Sequence, residues 1–186
     1  MALHERSVRL TYDDYVLFPE DGLRHEIIDG EHSVTPAPYP RHQNVVLRFA
    51  LTLGPFAEAN RAGQLFVSPI DVLLSRHDVV QPDLVFVSRD RLHIITERNL
   101  QGAPDLVIEV LSEGTRRRDE GLKLATYERF EVGEAWLADP ARKTVTVYRL
   151  DNGRYRRIAE LSAQAGDLLT TPLLPGLEID LAAIFA

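Results

Sequence analysis

The chain contains no cysteine, which excludes disulfides and thiolate metal sites. Long apolar runs are also missing. No uninterrupted stretch approaches membrane-spanning length, and the opening Met-Ala-Leu-His-Glu-Arg lacks the apolar core of a signal peptide. The expectation is a soluble cytoplasmic protein. Nor is there a basic excess: 21 Lys and Arg stand against 28 Asp and Glu, a formal net charge of −7. That argues against a large sequence-independent nucleic-acid surface, because such binding rests on neutralising phosphates. It leaves room for a local basic patch beside an acidic site. Repeats, low-complexity tracts, charged tails and interdomain linkers are absent as well. With 186 residues, 45% of them hydrophobic, the chain can bury one substantial core, and a single domain over residues 1–186 is expected.

Turn and periodicity signals divide the chain. Thr11 precedes an acidic first turn, Asp13 and Asp14, and Pro19 and Gly22 limit the helix that starts there. Residues 24–29 and 31–35 flank Asp29-Gly30, a tight-turn dipeptide, and predict a β-hairpin. From Arg41, the positions Val45, Leu47, Phe49, Ala50, Leu53, Phe56 and Ala57 recur near helical spacing. This predicts a long helix, broken or kinked around Gly54-Pro55 and ended before Gly63. Residues 64–74 read as one strand with an edge or bulge at Pro69. Residues 75–78 read as a turn, 83–87 as a strand, and 88–102 as a loop with at most a turn of helix.

Residues 106–111 form the most apolar strand and therefore the centre of the sheet. A second helix follows over 119–130, then a strand over 134–138. A second hairpin crosses Asn152-Gly153 between 144–150 and 154–161. The C-terminal segment after Gly176 is expected to pack on the outside. The sum is an α/β fold of mixed α+β character: a mixed, mostly antiparallel sheet flanked by helices.

Two of these strands carry carboxylates among apolar neighbours. Asp83 opens the segment Pro82-Asp83-Leu84-Val85-Phe86-Val87, and Glu109 sits inside Leu106-Val107-Ile108-Glu109-Val110-Leu111. A carboxylate in such a setting costs several kcal/mol unless it is paired, protonated or metal-bound. A divalent cation shared by the two is the economical explanation. The alternative is a buried carboxylate satisfied by backbone amides or an arginine.

The sequence resembles the Uma2 family (DUF820), a bacterial group with the restriction-endonuclease-like PD-(D/E)XK fold. The resemblance is carried by five blocks in family order. They are His25-Glu26-Ile27-Ile28-Asp29-Gly30-Glu31, Pro82-Asp83-Leu84, the run from Gly102-Ala103-Pro104-Asp105 through Glu109 to Ser112, the pair Asp119 and Lys123, and Val132-Gly133-Glu134-Ala135-Trp136-Leu137-Ala138-Asp139-Pro140. It implies a nuclease in which Asp83 and Glu109 hold Mg²⁺ or Mn²⁺, with the backbone carbonyl of Val110 as a further ligand. Mg²⁺ accepts hard oxygen donors and keeps several waters, so this donor set suffices. A nucleic-acid substrate, DNA ahead of RNA, and a possible homodimer are implied in the same way.

One departure stands out. Where the family signature places a lysine two residues after the Glu, this chain has Leu111. The resemblance implies that the lysine role has moved to the following helix, to Lys123, and that Glu26 supplies a further carboxylate. The competing readings are a surface ion pair of Lys123 with Asp119 at i, i+4, and for Glu26 a solvent-facing strand residue like Glu31.

Other residues carry less. Asp105, after Gly-Ala-Pro, reads as a turn cap. His42 opens the long helix, within reach of a substrate phosphate or simply part of its first turn. Arg116-Arg117-Arg118 reads as a solvated loop, with contact to a nucleic-acid backbone as the alternative. Trp136 reads as core, with a subunit interface as the alternative. A second functional class also stands: a domain that keeps the nuclease fold but serves as a binding or regulatory module. The displaced lysine and the acidic net charge favour it. A two-carboxylate glycosidase finds no groove of aromatics in its support.

Overall fold

A computed structural model describes residues 8–35, 37–114 and 116–186. The N-terminal residues 1–6, whose composition argued against a signal peptide, lie outside the described residues. Helix α1 (Tyr12–Tyr15) leads into strands β1 (Arg24–Ile28) and β2 (Glu31–Thr35), followed by helix α2 (Pro40–Ala59). Both tight turns foreseen from Asp-Gly and Asn-Gly form. Asp29 and Gly30 have φ of 53° and 80°, and Asn152 and Gly153 have 52° and 74°. Positive φ at both central residues gives the turn whose twist matches a right-handed hairpin.

Strands β3 (Gly63–Val67), β4 (Val72–Ser75), β5 (Asp78–Val80) and β6 (Leu84–Ser88) follow, then a 3₁₀ segment (Arg89–Ile94), β7 (Leu100–Gln101) and β8 (Leu106–Val110). The single strand expected over 64–74 is thus two strands in two different sheets. Pro69, which has no N–H for a ladder, lies between them, and the chain passes there from one sheet to the other. The segment 78–80 escaped notice as a strand because three residues show no periodicity. The expected loop over 88–102 holds the 3₁₀ segment and β7.

A π-helical segment (Arg118–Lys123) runs into α3 (Leu124–Arg129), where a plain helix had been expected. The chain ends with β9 (Glu134–Asp139), β10 (Thr144–Asp151), β11 (Arg154–Ser162), a short pair β12 (Leu168–Leu169) and β13 (Ile179–Asp180), and α4 (Leu181–Ile184).

The main sheet has the order β11-β10-β9-β8-β6-β3, antiparallel except where β8 runs parallel to β9. A second sheet has the order β2-β1-β5-β4-β7. The expected mixed, mostly antiparallel α/β architecture is present, divided between two sheets rather than gathered in one.

Strand β8 lies inside the main sheet, and its alternation defines two faces. Leu106, Ile108 and Val110, with Leu84 and Phe86 of β6, pack against Val45, Val46, Phe49 and Leu53 of α2. Leu174, Leu177, Leu181, Ile184 and Phe185 join that core, so the C-terminal segment is part of it rather than an outer layer. Its closely spaced apolar residues cover a face of α2 and the sheet that would otherwise meet water. Val85, Val87 and Val107 face the other way, toward Ile28, Val72, Val80 and Tyr127.

Of the break or kink expected around Pro55, the break does not occur: helix α2 continues through it. Leu51 and Pro55 are both exposed, so the Leu51 carbonyl that loses its amide partner at Pro55 can turn to water. Among the described residues, no helix is long and apolar enough to cross a membrane.

Candidate active site

Strand register brings the two carboxylates together. In the antiparallel β6–β8 pair, Leu84 opposes Ile108 and Val85 opposes Val107, so one further step sets Asp83 opposite Glu109. Both share the face of Val85, Val87 and Val107, the face toward the second sheet. Like charges placed opposite one another repel, and both side chains are buried. They line a cavity of about 490 Å³ together with Glu26, His42, Asp119 and Lys123.

Asp83 is held by three donors. Arg24 Nη1 reaches Oδ1 at 2.7 Å, while His42 Nε2 at 3.0 Å and the Val110 N–H at 2.8 Å reach Oδ2. Burial raises its pKa, but the His42 hydrogen bond and charge and the Arg24 guanidinium outweigh burial and hold it at about 2. Glu109 goes the other way. Burial, then the negative charges of Asp119, Asp83 and Glu26, push it up to about 8 against the opposing pull of Lys123. Its described contacts, with the Tyr127 hydroxyl and with Lys123, all fall on Oε1.

Lys123 is 3% exposed. Its Nζ stands 2.5 Å from Glu109 Oε1 and 3.2 Å from Glu26 Oε1. Burial alone would discharge it, but Glu109 and Glu26 more than offset that and keep the ammonium charged. The surface-pair reading of Lys123 therefore does not hold. Glu26 is also buried, not solvent-facing. It accepts from the Gln81 N–H at 2.8 Å and pairs with Arg118 Nη2 at 2.8 Å. Burial raises its pKa, and the charges of Lys123 and Arg118 reverse the direction to a lowered one.

The π turn explains how two cations grip one carboxylate. Residues five apart in an α-helix sit about 140° apart around the axis. The wider i→i+5 turn brings Arg118 and Lys123 over one another, and they take opposite oxygens of Glu26.

Residues singled out from the sequence thus meet residues that were not. Arg24 had a signal, lying two positions before Glu26 on the same strand face. Tyr127 had one too, four residues after Lys123 on the helix. Gln81 contributes a backbone N–H, which no side-chain pattern announces. His42, weighed as a phosphate contact or as a plain residue of the first helical turn, is buried against Asp83. The arginine cluster is not a solvated loop: Arg116 pairs with Glu120 and Asp139, and Arg118 with Glu26.

Leu111, at the position of the missing lysine, is buried and donates its N–H to the Ala138 carbonyl. Asp105, expected to cap its own turn, instead accepts from the distant Ser88 N–H at 2.7 Å and pairs with Arg91 at 3.4 Å. Trp136 is fully buried and donates to Glu134, which removes the subunit-interface alternative.

A family model for Uma2, described as a putative restriction endonuclease, matches residues 12–182. The chain belongs to the Uma2 family. Its fold recurs in a crystal structure described as a putative nuclease belonging to DUF820 from Anabaena variabilis, with a TM-score of 0.79. That Uma2 likeness covers 95% of this chain and 97% of the other at 20% identity. No protein of curated function matches the chain.

The donors suit a hard divalent cation: the Asp83 and Glu109 carboxylates and the Val110 carbonyl are hard oxygen donors, and the sequence has no thiolate. Among the described residues no three His, Asp or Glu side chains converge to hold a metal by themselves. That is compatible with Mg²⁺, which keeps several of its waters.

Proposed function

We propose that this Uma2 protein is a divalent-cation-dependent nuclease that hydrolyses phosphodiester bonds of nucleic acid, DNA ahead of RNA. The observation that carries the reading is the buried Lys123 ammonium against Glu109. It supports a lysine from the helix standing in for the one absent at Leu111. Asp83, Glu109 and the Val110 carbonyl would hold Mg²⁺ or Mn²⁺. Such an ion polarises the phosphate and lowers the pKa of a bound water.

The chain's own groups do the rest. Lys123 keeps its charge and offsets the charge that grows on the phosphate oxygens. Glu26, fixed by Gln81 and Arg118, holds Lys123 in place. The Tyr127 hydroxyl orients Glu109. Burial, and after it the neighbouring carboxylates, push the Glu109 pKa up, and a cation would offset the carboxylates' part.

A second reading, a binding or regulatory module, draws on Asp83. Both of its oxygens are engaged by Arg24, His42 and the Val110 N–H, so the pocket is neutralised in part without any ion. Incubation of the protein with plasmid, single-stranded DNA and RNA in Mg²⁺, Mn²⁺ or EDTA separates the two. The nuclease reading expects cation-dependent cutting that disappears in Asp83→Ala and Glu109→Ala. Cutting that survives either substitution sinks the mechanism, and no cutting or cation binding in any condition favours the module. Nicked against linear plasmid product reports whether one copy or two act at a time.

A further inference from the structure

Asp83 presents a conflict. A carboxylate that is to hold a cation has its Oδ1 taken by Arg24 at 2.7 Å and its Oδ2 by His42 at 3.0 Å. Neither partner is itself satisfied. Arg24 Nε and His42 Nδ1 are buried without a hydrogen-bond partner, and a buried donor or acceptor left unpaired costs about 1–3 kcal/mol. Arg24 has one further contact, to Ser68 Oγ at 3.2 Å. Both side chains line the cavity shared by Asp83 and Glu109. His42 also lies in the first turn of the 20-residue helix α2, whose N-cap, Tyr39, makes no side-chain cap. The amides of that turn have no intrahelical acceptor and favour an anion.

We infer that Arg24 and His42 form a phosphate clamp stored on Asp83. When a cation takes Asp83, the two side chains are released to the substrate phosphate that enters the cavity. The inference rests on the nuclease reading and adds to it an order of events, cation first and nucleic acid second. It also makes Arg24 a competitor of the cation. An unpaired guanidinium beside the acidic pair repels a divalent ion, and its ion pair with Asp83 must be broken before the ion binds.

The consequence is a pair of effects with opposite signs. Arg24→Gln should bind Mn²⁺ about three- to tenfold more tightly by calorimetry in the absence of nucleic acid. It should bind a fluorescein-labelled DNA duplex, read by anisotropy in Ca²⁺ with the duplex checked for integrity, at least about tenfold more weakly. Arg24→Lys, which keeps the charge, should stay near wild type in Mn²⁺ affinity. His42→Gln should weaken duplex binding in the same assay. Thermal melting in EDTA confirms that each variant is folded.

If Arg24→Gln binds Mn²⁺ more weakly than wild type, or keeps wild-type affinity for both ligands, the clamp is overturned while the nuclease reading stands. If folded wild type binds no Mn²⁺ at all, both fall together. A duplex bound equally well in EDTA and in Ca²⁺ removes the proposed order and with it the clamp.

Discussion

Glu109 and Glu134 are buried glutamates on neighbouring parallel strands, and their surroundings differ in kind. Glu134 is closed. Arg149 Nε donates to Oε1 at 2.7 Å, and Trp136 Nε1 and Thr171 Oγ1 each donate to Oε2 at 3.0 Å. Asp78 follows the same pattern, with the Asp29 N–H, Ser75 Oγ and Arg129 as donors. Glu109 instead borders a cavity, shares Lys123 with Glu26, and is pushed upward in pKa by burial and then by three neighbouring acids. Burial of a carboxylate therefore does not mark a site. Crowding of carboxylates around an open volume does. Asp83 stands between the two cases: satisfied like Glu134, but by donors that line the same cavity.

The largest effect expected from that contrast is catalytic. Glu109→Gln should reduce cation-dependent plasmid cleavage by about 10²–10³-fold or more, while Glu134→Gln leaves the turnover of folded protein unchanged. Equal losses in the two variants would mean that burial alone had been mistaken for function. Next comes stability. Glu134→Ala strands Arg149 and removes the acceptor of Trp136 and Thr171. It should cost about 2–3 kcal/mol in urea unfolding, the low side of a broken buried pair, because Arg149 is partly exposed and can turn to water. A loss below about 1 kcal/mol would show that Glu134 is not the structural counterpart assumed here.

The parts of this contrast legible from the sequence were those in which one residue declares its own environment. Asp83 and Glu109 stood out against apolar strand neighbours, and the Asp-Gly and Asn-Gly dipeptides demanded positive φ. Closure of a carboxylate depends on distant partners and was not legible. Thr171 lies 37 residues from Glu134, and Gln81 reaches Glu26 across 55 residues through a backbone amide. Arg118 reads as part of a solvated loop and Arg24 only as the start of a strand, because an arginine pattern does not reveal which way a guanidinium turns. The division of 64–74 between two sheets failed for a related reason: Pro69 announces that a ladder stops, not where the chain goes next.

A smaller effect concerns pH and tests the upward shift directly. In cation-free protein Glu109 has a folded pKa of about 8, above the ordinary 4.5. The folded state then holds a proton that the unfolded state has released. The contribution of Glu109 is fully present below about pH 4.5 and is lost as pH rises toward 8. Asp83, lowered to about 2, works in the opposite sense, and its contribution is lost only as pH falls from about 4 toward 2. Between pH 5 and 8 the Glu109 slope should therefore dominate this pair. Glu109→Gln, which keeps the shape of the protonated acid, should be more stable than wild type at pH 8 in EDTA by roughly 1–4 kcal/mol and nearly equal at pH 5. Parallel urea curves for the two proteins across that range would contradict the crowding of carboxylates on which the contrast rests.

The smallest effect separates two hydroxyl donors to the two glutamates. Tyr127→Phe removes the donor to Glu109 Oε1, and Thr171→Val removes one of the donors to Glu134 Oε2. Each loss is worth about 0.5–1.5 kcal/mol of stability. Thr171→Val should cost the more of the two, because Thr171 Oγ1 also accepts the Leu173 N–H, which would be left without its partner. Cation affinity should divide them the other way. Without the Tyr127 hydroxyl, Glu109 loses a donor that favours its charged form and fixes its orientation, so Mn²⁺ binding should weaken several-fold. Thr171→Val should leave Mn²⁺ binding at the wild-type value, since Glu134 belongs to the closed network. A Thr171→Val variant that bound Mn²⁺ as poorly as Tyr127→Phe would join the two carboxylates into one network across β8 and β9.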